Sequence, residues 1–224
     1  MNEILAFVHI PKTAGTSARQ ALERAAGKEH TLSIGVNLPL AEFPLLTPQR
    51  LENTRVLFGH ADAIQFRKIG ARFRFAATVR DPVERAASYF NFIKVRRPES
   101  PLAKRIGNKT LLDASKNVQP FIKNISNLQC RMICGVANAD LAIETIHRED
   151  WFVAPHKELD GLITLICAEY DWKWMPAPKF NVGKKGYKSA LLEPETQEVV
   201  RALNTEDDKL VKFIASRMTQ AIAG

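Results

Sequence analysis

The sequence predicts an α/β fold in three layers, with a central, mainly parallel sheet flanked by helices. Three observations predict it. Short apolar runs rich in Val, Ile and Phe alternate with longer helical stretches. A glycine-containing turn joins the first apolar run directly to a helix. The polar segments that stand out, at 11–17, 59–60 and 80–88, each begin where an apolar run ends. Sheets of this kind bind ligands there, outside the carboxyl ends of their strands.

The elements follow in chain order. Ile4 to Ile10 (ILAFVHI) is closed by Pro11 and is expected as a buried strand. Ser17 to Ala26 reads as a helix, with Gly27 as its stop. Residues 35–50, rich in Pro and Leu, are expected as loop with a short helix. Arg55 to Phe58 is a second strand, ended by Gly59-His60. Phe73 to Val79 is a third and runs into Arg80-Asp81-Pro82. Asp81 at the N-cap and Pro82 in the first turn open a helix to about Val95. Residues 96–120 carry Arg96, Arg97, Lys104, Arg105, Lys109 and Lys116, and are expected as a mobile loop or lid with one short helix. Helix is expected over 121–134 and Ala139 to Glu149, strand over Trp151 to Ala154, and helix over Leu159 to Tyr170. Trp172 to Lys188 holds Pro176, Pro178, Gly183 and Gly186, and reads as a long loop. Glu193 to Leu203 and Glu206 to Ala221 are closing helices, with Asn204-Thr205 as turn and cap. One domain over 1–224 is expected.

Composition narrows the class. Thirty-two basic against 24 acidic residues give a net charge of +8, which favours anionic partners. The basic residues are scattered and no nucleic-acid-binding motif is present, so nucleic acid is not the expected partner. The N-terminus lacks a basic leader region, and the longest apolar candidate, Leu159 to Ala168, is interrupted by Asp160 and Gly161. A soluble, cytoplasmic protein without an integral membrane segment is expected. Cys130 and Cys134 are spaced i, i+4, but no second ligand pair follows. Core packing is expected for both and for Cys167, and no metal is expected.

The first functional string is Pro11-Lys12-Thr13-Ala14-Gly15-Thr16-Ser17, directly after a strand. Set against G-x-x-x-x-G-K-[ST], Gly15 and Ser17 match, while Thr16 stands at the lysine position and the lysine has moved to Lys12. Gly15 is expected to let the chain turn. The amides of Thr13 to Ser17, at a helix N-terminus, favour a phosphate, and the Thr16 and Ser17 hydroxyls can add hydrogen bonds. The fold is thus P-loop-like. The second string is Arg80-Asp81-Pro82 with Ser88 eight residues after the arginine. An arginine fork suits a terminal phosphate.

These strings resemble the carbohydrate sulfotransferases, particularly the heparan sulfate 2-O and 6-O type and its bacterial soluble relatives. Phe7 to Ser17 is similar to that family's 5′-phosphosulfate loop, and Arg80 and Ser88 to its 3′-phosphate element. The resemblance implies 3′-phosphoadenosine 5′-phosphosulfate (PAPS) as donor and PAP as product. Lys12, Thr13, Ala14, Gly15, Thr16 and Ser17 would hold the 5′-phosphate, with Lys12 assisting the bridging oxygen. The basic stretch with Lys184, Lys185 and Lys188 resembles the segment that closes over the nucleotide. The acceptor implied is a hydroxyl on a carbohydrate or glycolipid. Arg67, Lys68, Arg72, Arg96 and Arg97 are candidates for an acidic acceptor path.

Such a transfer needs a base. Among His9, His30, His60, His147 and His156, His60 follows the second strand at the edge that also carries Lys12. The family places a catalytic histidine in a similar context. His9 is expected in a core role within the first strand, and Glu23 and Asp62 are alternative bases. The rival reading is a P-loop nucleotide-dependent kinase or NTPase. That chemistry needs a lysine beside the Ser/Thr and an acid after an apolar strand, where this chain has Arg80.

Overall fold

A computed structural model describes residues 3–173 and 193–223. The expected α/β architecture is present: one five-stranded, all-parallel sheet with helices on both faces. Its strands are β1 (Ile4–Val8), β2 (Thr31–Ser33), β3 (Val56–Gly59), β4 (Phe73–Val79) and β5 (Phe152–Pro155), in the order β2-β3-β1-β4-β5. Every residue of β1 is buried, because both faces of the central strand are covered. Ile4, Ala6 and Val8 face one core and Leu5 and Phe7 the other, the two-residue period of a strand.

The Leu5 face packs on α1 (Gly15–Ala26) and on the late helix Leu159–Glu169. The opposite face packs on α2 (Ala63–Arg67) and on Leu128–Cys134, Ala139–Arg148 and Thr205–Ala223. In chain order the helices after α2 are α3 (Pro82–Arg96), α4 (Pro101–Ile106), α5 (Leu111–Asn117), α6 (Gln119–Ile125), α7 (Leu128–Cys134), α8 (Ala139–Arg148), α9 (Leu159–Glu169), α10 (Pro194–Ala202) and α11 (Thr205–Ala223). A third cluster joins α3 to α6 with α10.

Several expectations are corrected. β2, three residues long, was not anticipated. Its polar groups are met by Asn37, which accepts from the Ser33 amide and donates to the Thr31 carbonyl. The expected loop or lid over 96–120 contains two helices, α4 and α5. Ser100 and Thr110 cap them, and Ala103, Ile106, Leu111 and Ala114 are buried. Short helices with one buried side escape a periodicity reading because they span barely two turns. Residues 121–134 form two helices, broken at Ser126-Asn127, where Asn127 takes a left-handed φ of 43°. Asn127 also caps α11 by accepting from the Glu206 and Asp207 amides, in place of the cap expected from Asn204-Thr205. Asp207 in turn accepts from Gln129 and Cys130 at the start of α7. Cys130 and Cys167 are buried, whereas Cys134 is half-buried. No helix among the described residues is long and apolar enough to cross a membrane.

Candidate functional site

Strand order assembles the site. β1 lies between β3 and β4, so the segments leaving these three strands meet at one edge of the sheet. The chain leaves β1 toward β2 and leaves β4 toward β5, in opposite directions. Such a reversal opens a crevice for ligands. Lys12, His60 and Arg80 follow β1, β3 and β4.

The loop after β1 is tightly specified. Thr13 is fully buried, and its hydroxyl donates to the Ile10 carbonyl at 2.8 Å. The Thr78 hydroxyl of β4 donates to the Thr13 carbonyl at 2.5 Å. Arg80 Nη1 donates to the Lys12 carbonyl at 3.3 Å. These bonds hold Lys12 and Ala14 at φ values of 72° and 70°. For residues with a Cβ that region costs about 1–2 kcal/mol each, a cost that persists where surrounding contacts over-determine the backbone.

Gly15 is not the turn-former expected; its φ is not positive. It is required because the His9 ring lies against it: a Cβ there would fall 1.8 Å from His9 Nε2. The Ser17 amide is also taken, donating to the Ala14 carbonyl at 3.0 Å. The free amides are therefore those of Lys12 to Thr16, none of which donates to an acceptor among the described residues. Among the described residues α1 has no side-chain cap, and its first turn holds no acid. Asp62, Asp81, Ser100, Thr110 and Asn138, by contrast, cap their helices. The α1 terminus is left with unmet donors and positive dipole, which suits an anion.

Cations converge on the same place. Lys12 Nζ lies 4.4 Å from the Phe92 ring centroid. Burial, then the Arg80 and Arg96 charges, lower its pKa. Like charges held close signal a site built for an anion. Arg80 is fixed at its backbone by the Gln129 amide, which accepts from its N–H at 2.8 Å and donates to its carbonyl at 2.9 Å. Its Nε donates to Glu84 at 3.1 Å. Asp81 caps α3 by accepting from Val83 and Glu84. Ser88, half-buried, lies one turn beyond Glu84 and one turn before Phe92, on the stripe that meets Lys12.

The histidines are paired. His60 Nδ1 is 2.8 Å from the His9 carbonyl oxygen. A ring nitrogen facing a carbonyl must carry the hydrogen, so the lone pair is on Nε2. The two rings stack at 3.9 Å. Burial lowers the His60 pKa against the opposing bond to His9. Burial, then His60, Lys12 and Arg19, push His9 well below its usual value. Both rings are neutral at neutral pH. The expected core role for His9 is thereby corrected: β1 ends at Val8, and the His9 ring sits between the loop and His60. Of the alternative bases, Glu23 pairs with Arg19 at 2.5 Å and Asp62 caps α2.

His156 was not singled out from sequence. It follows β5 directly, with Nε2 4.0 Å from Glu84. Burial, then Arg80, lower its pKa to about 4. Its signal was positional, since it leaves a strand end just as His60 does. Other candidates do not gather here. Arg72 precedes β4, at the opposite end of the sheet, and pairs with Glu3; Arg67 pairs with Glu149 just before β5. Lys184, Lys185 and Lys188 lie outside the described residues.

No protein-family model matches the chain, and no curated protein matches it.

Proposed function

We propose that the chain is a sulfotransferase that moves a sulfuryl group from PAPS to an acceptor hydroxyl, on a carbohydrate or glycolipid as the sequence resemblance implies. One observation carries the reading. Lys12 with its free amides, His60 with an available Nε2, and Arg80 with Ser88 on the next helix leave adjacent strands at one sheet edge.

The residues fit the donor. The cradle of amides against the His9-covered Gly15 suits a 5′-phosphate, and the Arg80 fork suits a 3′-phosphate. Bound there, PAPS supplies a sulfuryl group that transfers with cleavage of its sulfur–oxygen bond to the 5′-phosphate. His60 Nε2 accepts the acceptor's hydroxyl proton as the new oxygen–sulfur bond forms. Lys12 and the loop amides stabilise the negative charge left on the released phosphate oxygen. Arg80 and Ser88 hold the far end of the nucleotide.

The rival Mg²⁺-dependent kinase or NTPase needs a free carboxylate at a strand end beside β1. β3 runs into Gly59-His60 and β4 into Arg80, while Asp62 and Asp81 are engaged as caps. Thermal unfolding with PAP, and separately with ATP and Mg²⁺, tests the choice. At a hundredfold excess over Kd a ligand adds about 2.7 kcal/mol, or roughly 5–11 °C for a chain of this size. PAP should give that shift and ATP–Mg²⁺ little, and sulfur-labelled PAPS should label an acceptor in a glycan screen. Stronger stabilisation by ATP–Mg²⁺ than by PAP overturns the reading.

A further inference from the structure

The sequence pairs Arg80 with Ser88 and leaves Glu84, midway between them, without a role. Glu84 and Ser88, four apart, share a face of α3, and Arg80, just before the helix, reaches Glu84 through Nε, so the Glu84 side chain stands between those of Arg80 and Ser88. Its carboxylate is faced by three basic side chains from two places in the chain. Arg80 Nε reaches it at 3.1 Å, Lys157 Nζ at 3.8 Å and His156 Nε2 at 4.0 Å. Arg80 comes from the end of β4, and His156 and Lys157 come from the turn after β5. Lys12 and Arg96 add their positive charge to that of Arg80.

A simple capping-turn ion pair would need only Arg80. Two further basic side chains from a neighbouring strand end, in ion-pair range, make this a seat for an anion with more than two oxygens. A carboxylate offers two acceptor oxygens in one plane, whereas a phosphate monoester offers three around a tetrahedron and a larger charge. The Glu84 side chain is 39% exposed and the Lys157 side chain 70%, so the carboxylate can swing into solvent and solute can reach the seat. The nearby Asp81 cannot replace it, being held by two α3 amides and by Arg201 at 3.0 Å.

We infer that the Glu84 carboxylate occupies the seat of the donor's 3′-phosphate, and that His156 and Lys157 are further ligands of that phosphate. This inference rests on the sulfotransferase reading above. Glu84 is then an internal counter-ion. It neutralises Arg80 while the donor is away and has to leave before the 3′-phosphate binds. It lowers donor affinity and makes the site's cations tolerable when empty. Lys157 acts through its ammonium group, and His156, neutral while Glu84 fills the seat, takes up a proton beside the phosphate dianion and then donates through Nε2, so the selection for a 3′-phosphorylated nucleotide comes from two strand ends and not from Arg80 alone.

Two nucleotides differing only in the 3′-phosphate separate the possibilities: PAP and adenosine 5′-monophosphate, titrated calorimetrically against wild type, Glu84→Gln, Lys157→Ala and His156→Gln. Circular dichroism checks that each variant is folded. Glu84→Gln should bind PAP about tenfold more tightly, the scale of one charged contact, with its affinity for adenosine 5′-monophosphate unchanged. Lys157→Ala and His156→Gln should each weaken PAP several-fold and leave adenosine 5′-monophosphate unchanged. Unchanged or weaker PAP binding in Glu84→Gln, or equal changes for both nucleotides in any variant, overturns the inference while leaving the sulfotransferase reading intact. A wild-type protein that does not prefer PAP over adenosine 5′-monophosphate overturns both.

Discussion

Replacing Gly15 by alanine should destabilise the fold through the His9 ring. The backbone there is not in the left-handed region, so the added methyl costs nothing in φ and ψ. The whole effect comes from the His9 ring, whose Nε2 and Cδ2 would lie 1.8 and 1.9 Å from the new carbon. The ring has to move, losing its 3.9 Å stack on His60 and its 5.0 Å contact with Phe58. Overpacking of this kind costs about 1–3 kcal/mol. For a chain of this length each kcal/mol shifts Tm by about 2–4 °C, so a fall of roughly 2–12 °C is expected. His9→Ala removes the clashing ring, and the double variant should be no less stable than His9→Ala alone. Urea unfolding of the four proteins measures the coupling, which should nearly equal the Gly15→Ala penalty. A Gly15→Ala protein as stable as wild type, or additive losses in the double variant, refutes the packing account.

Further outcomes follow from the same geometry. Lys12→Ala should lower turnover about 10²–10³-fold, the scale of one lost charge-stabilising donor, and change PAP affinity far less. An equal loss in both would make Lys12 a binding group only. His60→Gln should lower turnover about 10²–10⁴-fold while PAP titrations stay as in wild type; full activity in the variant removes His60 from the scheme. His9, His60 and His156 have lower pKa values folded than unfolded, so the unfolded chain binds more protons. Their neutral forms leave stability intact above about pH 6.5, and it is lost as pH falls below that. With a folded pKa of about 4, His156 alone should remove about 2 kcal/mol between pH 7.5 and 5. Denaturant midpoints should show that slope in wild type and less of it in His156→Gln; equal slopes contradict it. Asp207→Asn should cost about 1–3 kcal/mol, because one of the Gln129 and Cys130 amides loses its buried acceptor. It also removes a negative charge that favours the fully buried Arg85 guanidinium, whose pKa burial already lowers to about 10. A near-neutral variant in chemical denaturation refutes this.

The strand–turn–helix at 4–26 and the strand–helix at 73–96 were legible because each depends on neighbours in sequence. Apolar runs, the Asp81 cap and the Pro82 start are local signals. β2 was not legible, because three residues become a strand only by pairing with β3 and by the support of Asn37. The site divides the same way. Lys12, Arg80 and Ser88 stood in readable strings, and His60 stood at a readable strand end. His9 reads as a core residue of the first strand, yet the strand ends at Val8 and its ring turns toward Gly15 and His60.

The sequence alone determined an α/β chain with its polar strings at strand ends, since hydrophobic period and helix capping are local properties of the polymer. Only the tertiary structure decided which strand ends are neighbours. The order β2-β3-β1-β4-β5 puts His60 and Arg80 on either side of the Lys12 loop and brings His156 to Glu84. It also made Gly15 a matter of room for a histidine ring in place of backbone freedom. Packing between segments distant in the chain settles such contacts, and no local pattern encodes them.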